Sequence, residues 1–167
     1  MHLYLLRHAI AVPRGTPGYP NDDRPLTEEG VRRMERAAPG IARVVGRLDA
    51  ILTSPLSRAL DTARIAARAL GCEERLQVCD ALLPMAPQTE LVAHLRGLAG
   101  ATGLMLVGHE PALGYFASSL LGAEDSVLEF RKGALCHLEL SSMPPDRPAV
   151  LVGHFQPKHL RALARSE

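Results

Sequence analysis

Residues 104–109 read LMLVGH and run straight into EPALGYF at 110–116. An unbroken apolar run of this length is the pattern of a strand buried on both faces, as in a parallel sheet. A helical stretch follows at once, from about Pro111 to Leu121, so the segment reads as strand, sharp turn and helix. That order places His109 at the carboxyl end of a buried strand, where open α/β sheets hold their ligands. The same letters, LVGH, recur at 151–154, and LYLLRH at 3–8 is a third apolar run ending in histidine.

Working outward, the same alternation repeats. Residues 2–6 read as a buried strand, followed by a loop over 9–26 that carries Pro13, Gly15, Pro17, Gly18, Pro20, Pro25 and the pair Asp22-Asp23. Thr27 is placed to cap a helix with Glu28 and Glu29 in its first turn, and Val31, Met34, Ala38, Ile41 and Val45 form its apolar stripe. Asp49–Thr53 reads as a second strand. Ser54 and Pro55 carry N-cap and first-turn signals for a helix ending near Leu70, before Gly71. A third strand is expected at Leu76–Cys79, a helix over about Gln88–Leu98 and a fourth strand at Gly103–Val107. Beyond residue 121 the pattern changes to strands at Ala134–Leu140 and Ala149–Val152 and a short helix at Pro157–Ala164. Alternating strands and helices predict an α/β fold, a three-layer sandwich whose central sheet is mostly parallel, with an antiparallel edge supplied by the tail. The expectation is one domain spanning residues 1–167.

Composition narrows the function. The chain is 47% apolar and 22% charged with a formal net charge of +1, which gives no electrostatic case for nucleic acid or an anionic membrane. Basic charge is almost all arginine, with lysine only at Lys132 and Lys158. No apolar run approaches the roughly 20 residues that span a bilayer, and no secretory leader is visible. Cys72, Cys79 and Cys136 show no CxxC or zinc spacing, so a reduced cytoplasmic protein is expected, with Cys79 in the core.

Three strand ends carry the chemistry. The first delivers Arg7 and His8, the second Arg58 within TSPLSR, and the fourth His109 and Glu110. Two guanidiniums match phosphate oxygens and stay charged at any working pH. A neutral histidine with one free nitrogen can attack phosphorus and carry the phosphoryl group; a second can stabilise the charge on its oxygens. Singly, each residue has an ordinary structural reading. Three successive strand ends with phosphate-compatible groups favour phosphoryl transfer to water through a phosphohistidine.

These motifs resemble those of the histidine phosphatase superfamily, the phosphoglycerate-mutase-like fold, and within it the small SixA-type phosphohistidine phosphatases. LYLLRHAIA is similar to that family's first strand and RHG motif, DDRPLTEEG to its RPLT segment, ILTSPLSRALDTA to its SP..RA..TA block and LMLVGHEP to its GH.P strand end. The resemblance implies His8 as the phosphorylated nucleophile and Arg7, Arg58 and His109 as the phosphate pocket. It also implies catalysis without a metal or other cofactor. Ala9 replaces the family's glycine, which would be costly if that position needed a positive φ. Where larger relatives place a glutamate general acid after the third strand, DALLPMAP puts Pro84. The SixA-like members share this pattern.

A missing acid points to a leaving group that needs little protonation, such as the imidazole of phosphohistidine. The expected substrate is therefore phosphohistidine in a partner protein, for example a histidine-phosphotransfer domain. Asp22, Asp23, Asp80 and Glu110 are candidate proton donors or pocket-rim residues, and each is also an ordinary loop, capping or surface carboxylate. The alternatives are a small-molecule phosphomonoesterase acting on a nucleotide or sugar phosphate, and a non-catalytic phosphate or phosphoprotein binder on the same fold. His94, His2, His137 and His159 lack a constellation, and His154 lacks an arginine partner and reads as structural.

Overall fold

Along the first strand, alternate side chains enter two separate cores. Leu3 and Leu5 join Leu52, Leu104, Leu106, Leu113 and Phe116 on one face. Tyr4 and Leu6 join Met34, Ile41, Ile51, Ala63, Met105, Val107 and Leu160 on the other. This two-sided burial is why the strands read as continuous apolar runs.

The computed structural model describes residues 1–19 and 21–165; Pro20 of the expected loop lies outside the described residues. The strands are β1 (His2–Arg7), β2 (Ala50–Thr53), β3 (Leu76–Val78), β4 (Gly103–Gly108), β5 (Leu135–Glu139) and β6 (Val150–Phe155). They form one sheet in the order β3-β2-β4-β1-β5-β6. Helices α1 (Glu28–Val44), α2 (Ser57–Leu70) and α5 (Pro157–Leu163) contribute to the Tyr4 face, and α3 (Gln88–Arg96) and α4 (Ala112–Leu120) to the Leu3 face. The result is the three-layer α/β/α sandwich with a mostly parallel sheet. Among the described residues no helix is long and apolar enough to cross a membrane.

The antiparallel pairs lie at the β5-β6 side, as expected, and both involve β5. Two successive reversals cancel, so β6 runs in the same direction as β1 and His154 is carried toward the sheet edge that holds His8. Its ring packs against Phe130, with centroids 5.0 Å apart.

The helix after β2 departs from expectation. Ser54 and Pro55 are not its cap and first residue; α2 begins at Ser57, with Leu56 at the cap position and no side-chain bond from it. The Ser57 N–H is instead received by the Asp23 carboxylate at 2.6 Å. The 9–26 loop thus closes over the start of α2, which leaves the Ser54 hydroxyl free for another partner.

Close backbone contacts fix the helices around this edge. Gly40 of α1 meets α5 so tightly that a Cβ there would lie 1.9 Å from the Leu160 carbonyl oxygen. Thr27 caps α1 through the Gly30 N–H at 3.0 Å, as its sequence signal predicts.

Candidate active site

Backbone bonds bring three strand ends together. The His8 N–H donates to the Gly108 carbonyl at 3.0 Å, joining β1 to β4, and the Ser54 N–H donates to Val107 at 3.0 Å, joining β2 to β4. From the β5 side, the Gly133 N–H reaches both the Arg7 and His8 carbonyls at 3.1 Å. Gly133 holds φ at +82°, a conformation that favours glycine. Ala9 is not among the positive-φ residues, so alanine is accommodated without that strain. Its N–H donates to the Thr62 hydroxyl at 2.9 Å.

His8 is buried, and its Nδ1 lies 2.7 Å from the Ala9 carbonyl oxygen. A carbonyl only accepts, so Nδ1 carries the proton and Nε2 keeps its lone pair. Burial pushes the His8 pKa down to about 4, helped by the charges of Arg58, Arg7 and Lys132 and opposed by the Ala9 bond. The ring is therefore neutral at physiological pH, in the tautomer a nucleophile requires.

His109 faces it, with ring centroids 5.1 Å apart. Its Nε2 is 2.8 Å from Ser54 Oγ. That oxygen also accepts from the Leu56 N–H at 3.4 Å, and its hydroxyl can either donate to the His109 ring or accept from it. When Ser54 donates, the imidazole proton resides on Nδ1, which is buried and has no partner among the described residues. Burial, followed by the proximity of His8 and Arg58, lowers the His109 pKa to about 3.

Arg7 donates from one terminal nitrogen to the Phe130 carbonyl at 2.5 Å, and Arg58 from one to the Asp22 carbonyl at 2.5 Å. The Nε atoms of both are buried without partners among the described residues. Arg7 Nε, Arg58 Nε and, in that tautomer, His109 Nδ1 are thus three unanswered donors near His8. A phosphoryl group has the oxygens to satisfy them.

The candidate carboxylates separate sharply. Asp22, in the left-handed region at φ 57°, places its carboxylate 3.1 Å from Arg58, 2.8 Å from Arg24 and 3.2 Å from Arg14. Bonds from Arg24 and Arg14 hold its carboxyl well below the usual range, so it stays ionised and is a poor proton donor. Glu110 accepts from the Gly114 N–H at 2.9 Å and the Phe130 N–H at 2.6 Å, tying α4 to the segment before β5. Asp80 is exposed on the short 3₁₀ turn Asp80–Leu82 after β3. The side of the site between His109 and that turn is mostly apolar, with Ala81, Leu82, Leu83, Leu91 and Phe116, and carries the amide of Gln88 but no carboxylate among the described residues.

Sequence reasoning did not single out Ser54, Arg24 or Lys132 as site residues. Arg24 is buried and bonds Asp22 and the Val12 carbonyl. Lys132 is exposed, yet partial burial and then Arg7, Arg24 and Arg58 lower its pKa, which places its ammonium in the field of the pocket. Arg24 was legible in the quoted RPLT segment; Lys132 sits in a stretch with no pattern.

The family model for the histidine phosphatase superfamily (branch 1) matches residues 3–83. An uncharacterized protein of Picosynechococcus sp. (strain ATCC 27264 / PCC 7002 / PR-6) is 37% identical over 143 residues, covering 83% of this chain and 84% of its own. The structure of the protein histidine phosphatase SixA complexed with tungstate superposes with a TM-score of 0.82 at 21% identity, covering 96% of this chain and 99% of that one. A chain from Agrobacterium tumefaciens assigned as the phosphohistidine phosphatase SixA gives 0.76 at 27% identity, covering 93% and 98%. A phosphoserine phosphatase mutant from Entamoeba histolytica in complex with phosphoserine gives 0.68 at 15% identity, covering 95% and 98%.

Proposed function

The chain belongs to the histidine phosphatase superfamily, and on that premise we propose that it removes phosphoryl groups from phosphohistidine in a partner protein, with His8 as the nucleophile. The observation that carries the nucleophile is the His8 tautomer: Nδ1–H is held by the Ala9 carbonyl and Nε2 is left unprotonated among two arginines. In the first step His8 Nε2 bonds to phosphorus as the bond from phosphorus to the leaving imidazole breaks. Arg7, Arg58 and His109 donate to the phosphoryl oxygens, where charge builds in the transition state. In the second step water bonds to phosphorus as the phosphorus–Nε2 bond breaks, the bonding pair returns to His8, and the water proton leaves on the phosphate product or to solvent.

The choice of an N–P bond rests on the apolar turn beside His109 and on the ionised state of Asp22. A phosphoimidazole protonated on its other ring nitrogen leaves as neutral imidazole, so the enzyme need supply no acid. An alkoxide leaving group has no such route. The likeness to the Agrobacterium chain supports the same choice.

The test is a substrate panel of a phosphohistidine protein, nucleotides and sugar phosphates, with His8→Ala as the blank. The expected result is preferential turnover of the phosphohistidine protein, with an acid-labile, base-stable phosphoryl adduct on His8. Full activity in His8→Ala would overturn the nucleophile, and equal or faster turnover of the esters would overturn the substrate.

A further inference from the structure

A cavity of about 640 Å³ opens beside Arg7, between α1, α5 and the segment leading into β5. Ile10, Met34, Ala37 and Pro157 give it an apolar floor. Around them stand Arg33, Arg131, Lys132, Lys158 and Arg161, drawn from three separate elements. Glu129 is the one carboxylate in the lining among the described residues. Arg33 is paired to Glu29, whereas Arg131, Lys132, Lys158 and Arg161 have no ion pair among the described residues. A chain whose formal net charge is only +1 therefore concentrates unpaired cations at one place, contiguous with its phosphate pocket.

We propose that this cavity docks an acidic polypeptide segment of the phosphorylated partner, with carboxylates against the cationic rim and apolar side chains on the floor. The proposal rests on the phosphohistidine reading above and names the partner's surface chemistry. Three features distinguish a polypeptide from other anions. The cations are spread and largely solvent-exposed, the arrangement of an interface rim that steers and registers a partner. A compact sugar phosphate would call for buried, convergent donors. A nucleic-acid strand would call for aromatic faces to stack its bases, and the lining holds no Phe, Tyr or Trp. The apolar floor answers neither of those ligands, but it suits the uncharged side of an amphipathic acidic segment.

The experiment compares two synthetic phosphohistidine peptides, one flanked by four glutamates and the other by four glutamines, on the wild type and on Lys158→Glu/Arg161→Glu. The wild type is expected to favour the glutamate peptide at least fivefold in kcat/KM, mostly through KM, and to lose that preference as salt is raised. The double variant is expected to abolish or reverse the preference while hydrolysing phosphoramidate within twofold of the wild type. Separately, fluorescence anisotropy with the unphosphorylated glutamate peptide reads the cavity without catalysis. Binding weakened at least fivefold in the double variant supports the proposal. No preference in the wild type, a preference that survives the double reversal, or equal displacement of the peptide by single-stranded DNA of the same charge overturns it. If neither phosphopeptide is hydrolysed although phosphate esters are, the substrate reading has failed, and the anisotropy result decides the cavity on its own.

Discussion

Ser54 Oγ lies 2.8 Å from His109 Nε2 across 55 residues of sequence, and when the hydroxyl donates, the ring proton is left on Nδ1, the nitrogen without a partner among the described residues. Ser54→Ala removes this partner of the ring without changing the charge of the pocket. Loss of one neutral hydrogen bond is worth about 1 kcal/mol, so kcat/KM is expected to fall by roughly fivefold to tenfold. Steady-state kinetics with circular dichroism as the folding control checks it, and an unchanged kcat/KM would show that the tautomer is set elsewhere.

The carboxylate of Asp22 sits on Arg58, Arg24 and Arg14, where it competes with any incoming oxyanion. Asp22→Asn keeps most of the hydrogen bonding and deletes the charge. Tungstate, an analogue of the phosphoryl group, is expected to bind several-fold more tightly to the variant in a calorimetric titration. Weaker binding would mean that Asp22 chiefly holds the arginines in place.

The two pocket histidines make the fold acid-sensitive. Both have folded pKa values below the ordinary 6.5, about 4 for His8 and about 3 for His109. Between those values and 6.5 the unfolded chain binds protons that the folded chain does not, so stability rises with pH across that window and is lost as pH falls through it. At about 1.4 kcal/mol per pH unit for each group, the decline between pH 6.5 and 4.5 should reach a few kcal/mol. Urea unfolding across this range should show it, and His8→Gln/His109→Gln should flatten the slope. An equal slope in the double variant would place the acid sensitivity in other groups.

Gly40→Ala tests the α1–α5 contact, because the new Cβ would meet the Leu160 carbonyl oxygen at 1.9 Å. Overpacking of this kind costs about 1–3 kcal/mol. Gly100, where a Cβ meets nothing within 4 Å, is the control, and Gly100→Ala should leave the urea midpoint nearly unchanged. A Gly40→Ala protein as stable as the wild type would mean that α5 shifts without penalty.

Arg7, His8 and His109 were legible as positions because each closes or follows a run of apolar residues, and a buried strand must end at a sheet edge; Arg58 was legible because it lies at the start of the helix after the second such run. Parallel order then brings the ends together. Ser54 was misread for a local reason: Ser-Pro is also a helix-start signal, and nothing nearby in sequence shows that a histidine in β4 claims the hydroxyl while Asp23 caps the helix. The proximity of Asp22 to Arg58 is equally non-local, since it joins a loop without periodicity to a helix 36 residues away. The course of β6 was hidden because the sign of two successive reversals depends on pairing partners, which the apolar pattern of a single strand does not record.

The Asp22 carboxylate also acts as an internal competitor. Because it is tethered to the same chain, its effective concentration at Arg58 exceeds that of a freely diffusing anion, commonly reaching the millimolar range for a short tether. Free inorganic phosphate that meets the open Nε of Arg58 faces the negative charge of that carboxylate on the terminal nitrogens, with few contacts beyond its oxygens to offset the repulsion. A phosphoryl group presented on a larger body brings additional contacts that tip the exchange. On the proposed function, the loop would set a threshold that disfavours free phosphate and favours a ligand arriving with a second point of attachment.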